Sequence, residues 1–349
     1  MKIVVAPDSF KECLDAGAVA AAIAEGIYSV FPGAEVRQVP LSDGGEGMSG
    51  ILTEALGGEL VPVKVTGPMR ETVAARFGRV GKTGILDVAS ACGLNLVPKE
   101  RRNPLITTSE GVGELIVAAI QNGCEELLIG LGGSATCDGG EGMMNVPGLR
   151  NIVTGVKIKA LCDVDNPFLG PDGAARVFAP QKGADPQMVE MLEKRMELQA
   201  ERILSQTGVE VSMIPGAGAA GGLGGVLHAY LGAELVPGIE TVLDIVGFDR
   251  EIVDADLIIT GEGTSDLQTL SGKVPMGVLR RSSGIPVILV SGRVKDHDSL
   301  LAAGFAAAIQ VTPDGIPTSE AIKPDIAKTN LRLAAGAFAC HPERNEESE

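Results

Sequence analysis

The sequence predicts a two-domain α/β protein: one doubly wound domain built from both ends of the chain, and a second α/β domain inserted into it. Three observations predict this. Short apolar strands alternate with amphipathic helices over the first 56 residues and again after about 240, the rhythm of a parallel sheet covered by helices. Near Gly57-Gly58 the texture changes to closely spaced short strands linked by turn signals. Most predicted strands empty into polar, glycine-flanked loops. The expected ranges are 1–63 plus 240–340 for the discontinuous domain and 64–239 for the insertion, with 341–349 a disordered polar tail.

The elements follow in order. Residues 2–6 read as a buried parallel strand. The loop Pro7-Asp8-Ser9-Phe10-Lys11 comes next, then a helix from about Asp15 with Val19, Ile23, Ile27 and Val30 on one face, stopped by Pro32-Gly33. A strand near 35–41 enters Asp43-Gly44-Gly45-Glu46-Gly47, and a helix continues to about Leu56. Residues 59–66, 72–80 and 84–89 are short strands, with turns at Gly67-Pro68 and Gly81. Thr107-x-x-Glu110 reads as a capping box for a helix ending at Asn122-Gly123. Strand 126–131 enters the glycine-rich loop 132–140, and strand 156–161 enters Cys162-Asp163-Val164-Asp165. Asp185-Pro186 starts a long helix to about Gly208, and the run 215–222 opens another. After 240 come strand 256–260, Gly261-Glu262-Gly263, helix 274–283, strand 286–290 and a helix over 319–338.

Composition narrows the function. The chain has 349 residues, 45% of them hydrophobic, and a mean hydropathy of +0.23, enough for real cores. No apolar run is long enough to cross a bilayer and the N-terminus lacks a signal-peptide pattern, so the cytoplasm is the expected location. A net charge of -16 argues against nucleic acid as partner. It also means that an anionic substrate needs local donors: backbone N–H groups, helix N-termini and a few cations. The 47 glycines suit close approach of backbone to phosphate. Six cysteines show no metal-ligand spacing and read as reduced, structural thiols, and three histidines do not support zinc or triad chemistry.

Familiar glycine fingerprints are weak here. G-x-G-x-x-G occurs at Gly45-Gly47-Gly50 and at Gly216-Gly218-Gly221, and the second copy reads as helix packing rather than a nicotinamide site. Gly81-Lys82-Thr83 lacks the first Walker glycine, because Arg76 stands there, and reads as a hairpin turn. The remaining loops carry what phosphoryl transfer needs: donors for phosphate, carboxylates for Mg²⁺, a group to orient the attacking hydroxyl, and a cation. Gly132, Gly133, Ser134, Ala135 and Thr136, with Asp138, form a candidate phosphate cradle. Asp43 and Glu46 follow one strand; Asp8, Ser9 and Lys11 follow another. Asp163 and Asp165 present two carboxylates together, and Glu262, Asp266 and Lys273 gather at a fourth strand end. Structural readings stand beside these: an Asx-turn for Asp8, helix caps for Asp43 and Asp138, a solvated charge for Glu262, a surface lysine for Lys273.

Taken in order, the segments Lys2 to Lys11, Asp43 to Gly47, Gly130 to Gly140, Cys162 to Pro167, Pro180 to Ala184, Pro215 to Gly222 and Gly261 to Lys273 resemble the type-1 family of bacterial glycerate kinases. The resemblance spans nearly the whole chain. It implies ATP-dependent phosphorylation of D-glycerate at the 2-hydroxyl, with ATP and Mg²⁺ as cofactors. It also implies two α/β domains, one flavodoxin-like and discontinuous, with the active site in their cleft. Carried over, Asp43 or Asp8 orients the glycerate hydroxyl, and Lys11 pairs with the carboxylate or the moving phosphoryl. Ser9, Gly44, Gly45 and Glu46 line the substrate. Gly132 to Thr136, Asp138 and Lys273 hold nucleotide phosphate. Asp163, Asp165, Glu262 or Asp266 holds Mg²⁺. A homodimer is the candidate assembly, with no membrane partner.

Three departures qualify this. The segment 142–156 is shorter than in the family, with Pro147-Gly148 cutting a helix, which predicts a truncated helix and exposed core. Cys137 replaces a commonly polar neighbour of the loop, and Thr264 and Ser265 stand where relatives often carry a basic residue. Two other readings therefore compete: a folded relative that binds anions without turnover, and an NAD-dependent hydroxy-acid dehydrogenase using Gly216-Gly218-Gly221.

Overall fold

A computed structural model describes residues 1–11 and 13–339; the tail 341–349 lies outside them. The strands are β1 (Lys2–Val5), β2 (Glu35–Gln38), β3 (Glu59–Thr66), β4 (Thr72–Val80), β5 (Thr83–Asp87), β6 (Glu126–Gly130), β7 (Lys157–Leu161), β8 (Glu234–Val236), β9 (Leu257–Ser265), β10 (Val287–Val294) and β11 (Ala307–Gln310). They form two sheets, and the chain divides into two units: Met1–Ser42 with the chain from Val242 onward, and Asp43–Thr241.

The first unit holds an all-parallel sheet in the order β2-β1-β9-β10-β11. Counted within the unit this is 2-1-3-4-5, the flavodoxin-like order. Ile3, Val4 and Val5 are buried on both faces of β1, as a central parallel strand requires. Asp15 caps the helix Ala16–Val30 by accepting from Ala18 N at 2.7 Å. That helix buries Val19, Ile23 and Ile27, and Gly26 lets it approach the helix Pro324–Ala339: a Cβ at Gly26 would lie 2.3 Å from Arg332 O. The strand order reverses between β1 and β9, and their carboxyl ends open side by side.

The second unit holds a six-stranded mixed sheet, β3-β4-β5-β6-β7-β8, antiparallel through β5 and parallel from there. Val80 pairs with Thr83, so Gly81-Lys82 is the expected hairpin turn. The helix Pro186–Thr207 starts and ends where the sequence places it, with Asp185 accepting from Met188 N at 2.8 Å and Gly208 left-handed at φ 77°. The run 215–222 packs: a Cβ at Gly218 would lie 2.2 Å from Pro167 O, and one at Gly221 2.1 Å from Thr136 O. These glycines are filled by the protein's own backbone, and the preceding element is a helix, not the strand that a dinucleotide fold needs.

Four expectations are corrected. The first crossing between units falls at Ser42/Asp43, not near 63, because the helix Met48–Ala55 packs on β4 and β5 of the second unit. The second falls at 241/242 rather than 239/240. Thr107 is not a helix cap: its hydroxyl donates to Ala135 O at 3.1 Å, and Ser109 holds the cap position before Glu110. The shortened segment 142–156 leaves no core open. The helix is truncated as expected, to Glu141–Met144, but with the helix Leu149–Ile152 and the Val153 that follows it the segment buries Met143, Leu149 and Val153.

Asp87, at the end of β5, docks the helix Met48–Ala55 by accepting from Ser49 N at 2.9 Å and Ser49 Oγ at 2.7 Å. Burial outweighs these bonds and pushes its carboxyl up to about 6. Between its ordinary value and about 6, the native state holds a proton that the unfolded chain has released. Stability therefore falls as pH rises through that window, and the ionised carboxylate costs most above it. Asp87→Asn keeps an acceptor without the charge. It is expected to flatten this dependence and to raise stability at pH 7 relative to wild type by on the order of 1–2 kcal/mol, read by urea unfolding at pH 4.5 and pH 7.

Candidate functional site

In the first unit a cavity of about 410 Å³ opens where β1 and β9 end, the switch point at which ligands collect in this topology. Asp8, Ser9, Lys11, Glu262, Asp266 and Lys273, all expected from sequence, line it. Phe10, Val311 and Ile322 give it an apolar side. The β1 loop is pinned to β9 by Asp8 N donating to Gly261 O at 2.8 Å, and Asp8 Oδ1 accepts from Ser9 N at 2.7 Å.

Glu262 is buried rather than solvated. Its Oε1 accepts from Ser265 Oγ at 3.1 Å and from Thr269 Oγ1, and Lys273 Nζ reaches Oε2 at 3.3 Å. Lys273 stands at the N-cap of the helix Val274–Arg281, where a cation opposes the helix dipole, so Glu262 and an anionic ligand are its natural partners. Asp266 accepts from Gln268 N at 3.0 Å and so caps the turn Leu267–Ser271. Arg293 also lines the cavity and was not anticipated. It lies opposite Thr264 in the β9–β10 register and donates to Ile316 O at 2.9 Å. Only the pairing of these two strands reveals it, since the residues are far apart in sequence.

In the second unit the loop 43–47 lies backbone-on-backbone against its neighbours. A Cβ at Gly132 would stand 2.4 Å from Gly45 Cα, one at Gly130 2.3 Å from Gly44 O, and one at Gly238 2.2 Å from Asp43 O. This close approach is why glycine recurs in both loops. Asp43 Oδ1 accepts from Gly45 N at 3.0 Å, an Asx-turn rather than a helix cap; Gly47 holds the cap of Met48–Ala55. Glu46 is exposed and accepts from Asn95 Nδ2 at 2.7 Å.

Asp163 faces the start of the helix Gly238–Val246, accepting from Gly238 N at 2.8 Å and Ile239 N at 3.1 Å. Burial, followed by the charge of Asp43, pushes its carboxyl up to about 7 despite those donors. Asp165, two residues on, is exposed, so the two do not share the burial that sets Asp163 apart. Among the described residues no group of three or more His, Cys, Asp or Glu side chains is placed to hold a metal ion by itself.

The loop 132–138 pairs with residues 92–94 through Ala135 N to Cys92 O at 2.7 Å and Leu94 N to Gly133 O at 2.8 Å. Gly133 is exposed at its tip, and among the described residues the N–H groups of Gly133 and Ser134 meet no acceptor. Asp138 is not part of the open face. It is buried and accepts from Ser109 N, Ser109 Oγ, Gly140 N and Gly142 N at 2.8–3.1 Å, a structural carboxylate joining two helix starts. Lys182, buried behind the loop, lies in the matching segment Pro180 to Ala184 but carries no role in the sequence reading. The thiols of Cys92, Cys137 and Cys162 are pushed up to between about 11 and about 12 by burial, so they are inert packing groups.

No described helix is long and apolar enough to cross a membrane. The sequence profile of the glycerate kinase family matches residues 3–152 and 144–340, two stretches that meet inside the shortened segment. Glycerate kinase of Bacillus subtilis (strain 168) is 43% identical, with 93% of each chain covered. Glycerate 2-kinase of Escherichia coli (strain K12) is also 43% identical, with 85% of this chain and 86% of that one covered. The solved structure described as "Crystal structure of putative glycerate kinase 2 from Salmonella typhimurium LT2" is 39% identical and superposes with a TM-score of 0.83 over 98% of each chain. The site loops lie within the matched stretches, and the similarity runs almost end to end: this chain belongs to the glycerate kinase family and is a glycerate kinase enzyme.

Proposed function

We propose that the enzyme transfers the γ-phosphoryl group of ATP to the 2-hydroxyl of D-glycerate. The observation that supports this best is the switch-point cavity, where carboxylates and cations meet as phosphoryl transfer requires. The name of the E. coli relative supports the 2-position.

In this reading Asp43 or Asp8 accepts a hydrogen bond from the attacking hydroxyl and aligns it. Ser9 and the walls Gly44, Gly45 and Glu46 fix the rest of glycerate. Lys11 pairs with the carboxylate or the moving phosphoryl, Lys273 meets phosphate charge, and the backbone of Gly132 to Thr136 cradles phosphate oxygens.

The donor sets fit Mg²⁺ unequally. Glu262 and Asp266 already spend oxygens on internal partners. Asp163 too accepts from backbone, through Gly238 N and Ile239 N, but Asp43 stands beside it with Oδ2 uncommitted among the described residues. This pair fits better: two neighbouring carboxylates repel, a cation removes that cost, and Mg²⁺ needs only one or two carboxylates besides water and phosphate. When bound, the ion neutralises charge on the phosphates.

Phosphorus NMR of the products formed from ATP, Mg²⁺ and D-glycerate tests the position. The 2-phosphoglycerate resonance is expected; 3-phosphoglycerate instead overturns the assignment of the hydroxyl.

A further inference from the structure

A lysine is buried behind the phosphate loop without a paired carboxylate. Lys182 ends the turn Pro180–Lys182 and is 4% exposed. Its ammonium donates to Ser134 Oγ at 2.9 Å and to Thr136 O at 2.7 Å, both neutral acceptors in the loop. The titratable groups facing it are Cys137, Cys92 and Asp138. Both thiols are pushed well above neutrality by burial and carry no charge at pH 7. Asp138 is already surrounded by four donors of its own. Among the described residues Lys182 forms no ion pair. A cation taken out of water this completely is costly unless a counter-charge or full hydrogen bonding offsets it, and only two of its three donors are used.

On the other side of the same loop, Gly133 is open to solvent, and the N–H groups of Gly133 and Ser134 meet no acceptor among the described residues. The loop thus carries two unpaired N–H donors, one of them on the exposed Gly133 and one on the buried Ser134, with the Lys182 charge held against Ser134 and Thr136. In a chain of net charge -16, such a local arrangement is what an anion needs to bind.

We propose that Lys182 is the positioning residue of an anion site at Gly132–Thr136, holding Ser134 and Thr136 from behind, with a phosphoryl group of the bound nucleotide supplying its missing counter-charge. This rests on the nucleotide reading above and goes beyond it, because it gives the loop a charge that its own residues lack. It also has a pH signature. Burial lowers the Lys182 pKa from 10.5. An arriving anion favours the protonated form, so ATP binding takes up a proton around the lowered pKa, and affinity declines as pH rises through it.

The test is calorimetric titration of the full chain with ATP at a series of pH values from about 6 to about 10, each in two buffers of different ionisation heat, beside steady-state kinetics, with uptake read at whichever pH it is largest. Wild type is expected to take up protons on binding. Lys182→Met is expected to lose that uptake and to raise the KM for ATP about tenfold or more, with the KM for glycerate nearly unchanged. Ser134→Ala, which keeps the charge, is expected to retain the uptake. A purely structural lysine would lower the melting temperature of Lys182→Met and leave both readouts unmoved. Should Lys182→Met not fold, ATP binding to wild type without proton uptake still overturns the proposal. ATP binding with no dependence on Lys182 sinks this inference alone, whereas no ATP binding to wild type sinks the nucleotide reading with it.

Discussion

Asp43→Asn is expected to lower kcat about 10³-fold, the scale of a positioned acid–base group, without destabilising the protein. Asp43 Oδ1 is held by Gly45 N at 3.0 Å, and among the described residues Oδ2 has no hydrogen-bond partner, so one oxygen is fixed and the other is available. Asparagine keeps the Gly45 bond through its carbonyl oxygen and loses the capacity to accept a proton. It also removes the charge that helps to raise Asp163 to about 7, so the Asp163 carboxyl moves back toward its ordinary range. Activity and stability should therefore separate: glycerate-dependent ADP release collapses, while the urea midpoint at pH 8 stays level or rises. Asp8→Asn belongs in the same assay. If it falls as far and Asp43→Asn retains near wild-type kcat, the hydroxyl is oriented from the β1 loop instead.

Gly132→Ala carries the second large effect. The added methyl would lie 2.4 Å from Gly45 Cα, and the atoms it meets are backbone, which cannot swing aside. Loops 43–47 and 130–132 must part, at an overpacking cost of about 2–3 kcal/mol, and the loss of activity should exceed what that instability explains at temperatures where the variant remains folded. Gly33→Ala is the matched control. A Cβ there meets nothing within 4 Å, so its unfolding midpoint and activity should stay near wild type. Equal behaviour of the two variants would contradict the close-packed arrangement of these loops.

Much of this architecture is legible in the sequence because its signals are local. The apolar runs at β1, β3, β4, β6 and β7, the Asp15 and Asp185 caps, and the Gly81-Lys82 hairpin all follow from periodicity and turn chemistry over a few residues. β8 and β11 are three and four residues long and carry too little pattern to be found that way. The crossing between units is misplaced because the helix Met48–Ala55 reads as part of the opening β–α rhythm, whereas its packing on β4 and β5 and the Ser49–Asp87 bonds show which sheet it serves.

The site divides similarly. Glycine-flanked acids at strand ends identify the loops, since that chemistry is written contiguously. Which acid is committed elsewhere is not written there. Asp138 is spent on Ser109 and its own turn, and Asp266 on Gln268. Arg293 and Lys182 come to their sites through pairings across 29 and 48 positions, with Thr264 and Ser134 respectively. The thinning of the chain at 142–156 reads as a gap in the core, yet Leu149 and Val153 refill it.

The most direct measurement is ADP release by the purified full chain with ATP and Mg²⁺, with and without D-glycerate. Turnover that depends on D-glycerate and saturates with it is the predicted result. A folded protein that binds ATP but releases no ADP when D-glycerate is added would contradict it, leaving an anion-binding relative without phosphotransfer.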